Sequence, residues 1–217
     1  FLITVQVSNH QHRNGGFPRA LILGPADAVV HIQTTRTYAD LFLFGAIITI
    51  GLYHLGHFSF RRRDPAPFFF GVFCLLTALR SELSGERALV DFFQLHEYFT
   101  ALYRLEYLSF FWSVPTFLAY TRAVFPSRFF PRYVLSALTA LTVLSSCIIF
   151  FTSSVIYTHI NNPFQIITVL TGLYILIGVG REAFKDQRAG ARLFLGGFWI
   201  LFVAVINEIL YSRYVIS

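Results

Sequence analysis

LFLFGAIITIGLYHLGHFSF, residues 41–60, contains no Asp, Glu, Lys or Arg and is followed directly by Arg61, Arg62 and Arg63. At about 1.5 Å per residue, a helix of this length spans the ~30 Å hydrocarbon core of a bilayer. Because cytoplasmic loops of membrane proteins collect Lys and Arg, the three arginines place this end of the helix inside and residues 1–40 outside. The stretch is therefore predicted to be the first transmembrane helix, and it sets the orientation of every later one.

The composition of the whole chain supports a membrane protein. Hydrophobic residues make up 55% and charged residues 13%, with a mean hydropathy of +0.61, whereas soluble domains are roughly 25% charged. The formal charge of +6 lies mostly in short loops between apolar runs, so it is interpreted as setting topology, and no nucleic-acid partner is expected. Cys74 and Cys147 lie inside apolar runs, which gives no disulfide or metal framework.

Residues 1–37 are predicted to be the last strands of an extracytoplasmic β-sandwich. Residues 1–8 alternate apolar and polar side chains, and Ala20–Leu23 and Ala28–Gln33 are interpreted as further strands around the turn Gly24-Pro25. Three strands cannot close a core, and no signal peptide precedes them. We therefore expect further sequence upstream.

Residues 38–217 are predicted to form an all-α polytopic bundle. The 48 residues from Tyr133 to Gly180 carry no Asp, Glu, Lys or Arg and are too long for one crossing, so a break is placed at Thr158–Pro163. The proposed inner loops hold ten Lys and Arg residues, whereas the outer loops between spans hold only Arg87. Six spans leave Ser217 outside, so a seventh is expected beyond it. The predicted spans are 40–60, 66–83, 98–122, 133–152, 163–181 and 193–211.

Several short motifs, taken in order, resemble one family, the bacterial seven-transmembrane receptors with diverse intracellular signalling modules. The motifs are Val7-Ser8-Asn9 with Gly15-Gly16, Phe44-Gly45 through Gly51-Leu52-Tyr53-His54-Leu55, Arg61-Arg62-Arg63-Asp64, Ala78-Leu79-Arg80, Leu105-Glu106-Tyr107-Leu108-Ser109, Phe125-Pro126 and Asn207-Glu208-Ile209-Leu210-Tyr211.

The resemblance implies a jelly-roll sensor of carbohydrate-binding type outside, seven helices in the bacterial inner membrane, and a variable cytoplasmic output such as a histidine kinase or a diguanylate cyclase. This chain departs from the pattern at both ends, and it has Asn207-Glu208 where Asn-Asp is expected. The implied function is signal transduction from the sensor to an output domain outside this segment. The expected partners are the lipid bilayer and a small-molecule or carbohydrate ligand of the sensor, while homodimerisation stays open and no cofactor is expected.

Catalytic and transport motifs are incomplete or missing, so no enzyme is expected in this segment. The run His96-Glu97-Tyr98-Phe99-Thr100 begins like a zinc-protease motif but has Thr where the second histidine must bind. His54 and His57 share a helix face and are secondary site candidates, interpreted as interhelical hydrogen-bonding residues because no third metal ligand accompanies them. A secondary transporter or channel, or a membrane anchor for an enzyme, is the alternative function.

The main site candidates are polar and ionisable residues inside the predicted spans. Such residues are costly in hydrocarbon and face the bundle interior. Their distances along the helices place them all in the outer third of the membrane, in a predicted cluster among spans two, three and six, with Arg80 and Glu106 as the expected pair. A structural ion-pair network and a ligand or signal-relay site are both compatible with this arrangement. The candidates are Arg80, Glu82, Arg104, Glu106, Asn207 and Glu208.

Overall fold

The computed structural model describes residues 23–185, 187 and 190–212, and within these ranges all regular structure is helical. A 3-10 turn, Leu95–Tyr98, precedes the fourth α-helix. Numbered in chain order, the α-helices are α1 Ala26–Phe60, α2 Ala66–Ser84, α3 Ala88–Phe92, α4 Phe99–Val124, α5 Arg132–Phe151, α6 Ser154–Phe184 and α7 Ala191–Ser212.

Five of the described helices, α1, α2, α5, α6 and α7, are long and apolar enough to cross a membrane. The prediction of a multi-pass helical membrane protein is therefore confirmed. The helix α4 is long enough, with 26 residues, but it is not among the five. It carries Arg104, Glu106 and Arg122, which lower its hydropathy. The predicted count of six spans thus depends on whether α4 crosses the membrane.

The helix α4 is the centre of the bundle. It packs on α2 along one side and on α5 and α6 along the other, while α1 packs outside α2 and α7 packs on α6. Phe111 of α4 stacks on Phe164 of α6 with ring centroids 4.1 Å apart, and Phe117 stacks on Phe198 of α7 at 5.0 Å. Because lipid is as apolar as these side chains, such close packing, rather than hydrophobic burial, holds membrane helices together.

Two glycines allow α1 and α2 to approach closely. A Cβ atom built on Gly71 would lie 2.7 Å from Cγ of Leu55 and 2.9 Å from the carbonyl oxygen of Gly51. Small residues at helix crossings are a common basis of packing in membranes, because they bring backbones into contact. Gly51 and Gly71 therefore fix the position of α1 on the bundle.

The strand predicted at Ala28–Gln33 is wrong, because α1 begins at Ala26 and includes it. Pro25 directly before the helix and Asp27 in its first turn are helix-start signals, since proline pre-sets the backbone and an acid favours the positive end of the helix dipole. The strands predicted at 1–8 and 20–22 lie outside the described residues. The β-sandwich and the domain boundary after residue 37 therefore stay predictions.

The break predicted at Thr158–Pro163 is also misplaced. The chain turns at Thr152 and Ser153, whose backbones are extended with ψ of 168° and 159°, and α6 then continues through Pro163. The carbonyl of Ser153 accepts hydrogen bonds from the N–H groups of Ile156 and Tyr157, which starts the helix. A proline removes one backbone hydrogen bond but does not end a membrane helix whose packing supplies the missing stability.

Candidate functional site

The charged side chains gather at the end of the bundle where α2 and α7 end and α4 begins. The connection from Gly85 to Tyr98, which contains α3 and the 3-10 turn, runs across this end. We call this group of residues the charge cluster: Asp40, Arg80, Glu82, Arg87, Glu106 and Glu208.

Arg80 of α2 forms an ion pair with Glu208 of α7. Oε1 of Glu208 accepts hydrogen bonds from Nη2 of Arg80 at 2.5 Å and from Nε at 3.2 Å. The guanidinium also lies 4.4 Å from the ring centroid of Phe110 on α4, close enough for a cation–π interaction. This single side chain therefore connects three helices.

Arg87 forms the second ion pair. Its Nη2 lies 3.3 Å from Oε2 of Glu106 on α4, and its Nε donates a hydrogen bond of 2.7 Å to the carbonyl of Leu83 at the end of α2. Its backbone is left-handed, with φ of 57°, a conformation that costs free energy in a residue other than glycine. The two side-chain contacts hold it there.

The predicted pair of Arg80 with Glu106 is wrong as a direct contact, because each residue has another partner. Glu106 is nevertheless close enough to interact electrostatically with Arg80, Arg87 and Glu208. Two carboxylates and two guanidinium groups therefore form one connected group. Arg87 is one of the two cluster residues that the sequence analysis missed, although it stood out as the one arginine in an acidic outer connection.

Glu82 and Asp40 attach the outer connection to the bundle. Oε1 of the buried Glu82 accepts a hydrogen bond of 2.5 Å from the N–H of Leu89, at the start of α3. Oδ2 of Asp40 on α1 accepts one of 2.9 Å from the N–H of Glu86. Glu82 thus binds a backbone N–H of α3 instead of a side chain of another helix. Asp40 was not predicted as a site residue.

The remaining candidates are not members of these ion pairs. Arg104 is near enough to the hydroxyl of Tyr157 on α6 to interact electrostatically, although Nε of Arg104 and that hydroxyl have no hydrogen-bond partner among the described residues. Asn207 is exposed beside Glu208. His54 packs edge-on against Phe70 at 4.7 Å, and His57 is exposed. The described residues contain no group of three or more metal-ligating side chains.

A cavity begins at the Arg80–Glu208 pair and extends between α2, α4, α6 and α7. The cavity volume is about 130 Å³, its mouth is open to the surroundings, and its walls are mainly apolar and aromatic. Its other end reaches the stacked rings of Phe117 and Phe198. The arrangement can therefore do two things: the ion pairs can transmit relative movements of α2, α4, α7 and the outer connection, and the cavity can hold a small molecule beside them.

Comparison with known proteins agrees with this architecture. No curated protein and no solved structure matches the chain significantly. The model of one family, described as 7TM diverse intracellular signalling, matches residues 36–217. This match covers α1 from residue 36 onward, all later helices and all residues of the charge cluster. The chain therefore belongs to the 7TM diverse intracellular signalling family.

Proposed function

We propose that this chain is the membrane region of a receptor that passes a signal from an extracytoplasmic sensor to a cytoplasmic output domain. Membership of a signalling-associated membrane family supports a receptor role. The observation that carries the finer proposal is the chain of contacts in the charge cluster. Asp40 connects α1 to the outer connection, Arg87 connects that connection to α4, and Arg80 connects α2 to α7. We infer that a movement of α1 is transmitted through these contacts to the outer connection, α4, α2 and α7.

The helix α4 is proposed as the third of six crossings. Its 26 residues span about 39 Å, which exceeds the ~30 Å core of a bilayer. Glu106 and the half-buried Arg104 lie against neighbouring helices, and α4 packs between α2 on one side and α5 and α6 on the other. A helix surrounded in this way tolerates charges that lipid would not.

With six crossings, the N-terminal residues and the charge cluster lie on the extracytoplasmic side of the bacterial inner membrane. The ligand is then a small molecule or carbohydrate bound by the sensor, and the output domain lies beyond this segment. We propose no catalytic role for the segment itself. Homodimerisation in the bilayer is an additional proposal from the receptor role.

A transporter or channel is the alternative, and the geometry of the cavity favours the receptor. The cavity ends against Phe117 and Phe198, and beyond them Phe194 packs edge-on against Phe125 at 5.1 Å. A solute pathway requires polar groups along a continuous route, whereas these rings close one end. A simple anchor, in turn, has no need for ion pairs that join α2, α4 and α7 to the outer connection.

The function is tested by breaking the contact of Asp40 in the full-length receptor. A Cβ atom on Gly85 would lie 2.6 Å from Oδ2 of Asp40, so Gly85→Ala should displace this carboxylate from the N–H of Glu86. We expect the activity of the output domain to change several-fold, with an unchanged amount of folded receptor in the membrane.

Two matched variants serve as controls. Asp40→Asn keeps an oxygen acceptor for the N–H of Glu86 and should preserve output. Gly56→Ala on the same helix α1 meets open space and should also preserve it. Wild-type output in Gly85→Ala and Asp40→Ala would contradict a signalling role of this contact, and solute flux through the reconstituted protein would favour the transporter.

A further inference from the structure

The cavity has the shape of a slot that follows α7. Its lining on that helix includes Phe198, Phe202, Val205 and Ile209, which recur every three to four residues and therefore share one helix face. From Phe198 to Ile209 the slot follows the axis for about 17 Å. It is accordingly elongated, and one face of α7 forms a complete wall.

The slot exists because α7 packs closely only on α6. Over the described residues, α7 has no extended backbone packing against α2 or α4. Long side chains bridge the gap instead: Arg80 reaches Glu208, and Phe117 reaches Phe198. The space between these two bridges is the slot.

The polarity of the slot changes along its length. Three hydroxyls of the lining donate to carbonyls of their own helices: Thr77 to Phe73 at 2.9 Å, Ser113 to Phe110 at 2.7 Å and Thr168 to Phe164 at 2.9 Å. Because these hydroxyl groups are already hydrogen-bonded, they add little polarity to the slot. The remaining walls are mostly phenylalanine and aliphatic side chains. The charged groups of the lining stand at one end only, at Arg80 and Glu208, and the buried amide of Gln165 is the other strong hydrogen-bonding group of the walls.

The charged residues at that end of the slot determine which kind of head group a ligand can have. Arg80 is paired with Glu208, and Arg87 with Glu106, so an anionic head would meet two carboxylates that are already present. A guanidinium has five N–H donors, of which Glu208 accepts two. An uncharged oxygen can accept from those that remain.

We propose that this slot binds an uncharged single-chain amphiphile, with its oxygen-bearing head at Arg80 and its alkyl chain along α7. Half of a bilayer core is about 15 Å, close to the length of the slot. A chain that lies in one leaflet can therefore enter between α2 and α7 without a change of depth. Binding does not depend on the proposed receptor function, because it requires only the bundle.

The test uses the full-length protein in lipid nanodiscs and a tetradecyl alcohol that carries a diazirine on its chain. After irradiation, mass spectrometry should find the label on slot residues such as Val114, Ile175 and Val205. Unlabelled tetradecyl alcohol should compete at least tenfold better than tetradecanoate, whose head is charged. Equal competition by the two would overturn the uncharged head.

Paired variants separate the slot from the surrounding lipid. Thr168→Phe fills the slot from α6 and should reduce labelling of Val205 at least tenfold, whereas Leu173→Phe, on the exposed face of the same helix, should leave it unchanged. If Thr168→Phe does not fold, Val205→Phe fills the slot from α7 and is read at Val114. Equal labelling of slot residues and of the lipid-facing Leu170 would mean that only surrounding lipid is sampled. That result overturns the proposal. The proposal is also overturned if the slot residues carry no label because another segment of the full-length protein fills the slot.

Discussion

Arg80 shows how a charge is held at the depth of a membrane. Its guanidinium has a carboxylate on one side and the ring of Phe110 on another, so its charge is compensated and its flat face is covered. Glu208, its partner, is half exposed at the side chain. Solvent around Glu208 therefore weakens the electrostatic attraction within this pair. Neighbouring charges of the cluster also help to compensate the charge of Arg80.

A double-mutant cycle measures this pairing. We expect Arg80→Gln and Glu208→Gln to show a coupling of about 1 kcal/mol in the free energy of unfolding, the usual size for polar pairs between membrane helices. Arg80→Gln with Glu106→Gln should show a smaller coupling, because these two residues interact electrostatically while each forms its ion pair with another residue. Unfolding in detergent provides the measurement. Stronger coupling in the second cycle would reverse the assignment of partners.

The partner of Arg80 also shows what a sequence leaves undetermined. Rise per residue is constant along a helix, so Arg80 and Glu208 could be placed at the same depth by counting from the helix ends. The rotation of each helix is set by packing, which no count of residues contains. Depth was therefore predictable for Arg80, Glu106 and Glu208, whereas the choice between the two carboxylates was not.

Among the elements, the two misplaced boundaries have a common physical origin. The strand prediction at Ala28–Gln33 and the turn prediction at Asn161-Asn162-Pro163 both rest on local sequence, and in each case helix packing in an apolar bundle dominates over the local preference. The signals that did mark helix ends were Pro25 and Ser153, each one residue before a helix. Capping positions were thus more informative here than breakers inside an apolar run.

The contact of α1 with α2 gives a prediction at this scale. Gly71→Ala places a methyl group against Leu55 and the backbone of Gly51, which should force the helices apart and cost about 1–3 kcal/mol of stability. Gly45→Ala on α1 meets open space and should be neutral or slightly stabilising, because alanine favours helix over glycine. Thermal unfolding of both variants in the same detergent compares them. Equal stability would mean that the crossing at Gly71 is looser than described.

For the whole molecule, the membrane class followed from composition, and the positions of the apolar helices followed from charge-free runs. The count of crossings did not follow from hydropathy, because α4 combines a central position with charged residues. Its burial comes from neighbours distant in sequence, such as Phe164 and Phe198. A hydropathy scale treats every residue of a helix as if it faced lipid. It therefore underestimates the tendency of a helix such as α4, whose charged residues face other helices, to cross the membrane.

Cysteine labelling tests the orientation of the molecule. In a background with Cys74→Ala and Cys147→Ser, a membrane-impermeant maleimide should modify a Ser153→Cys variant in intact spheroplasts, since Ser153 lies in the turn between α5 and α6. A Gln187→Cys variant, beyond the inner end of α6, should react only after the membrane is opened. The reverse pattern would contradict an extracytoplasmic N-terminal region.

The length of α1 has a mechanical consequence. Its 35 residues form a rod of about 52 Å, roughly 20 Å longer than the hydrocarbon core. Because α1 continues beyond the membrane without a break in the helix, it can transmit axial shifts and rotations along its whole length. The hydrogen bond from Glu86 to Asp40 measures 2.9 Å, and a piston stroke of two residues' rise, about 3 Å, would lengthen even a bond perpendicular to the axis to about 4 Å, beyond hydrogen-bond range. A displacement smaller than one helical turn is therefore enough to disengage α1 from the outer connection.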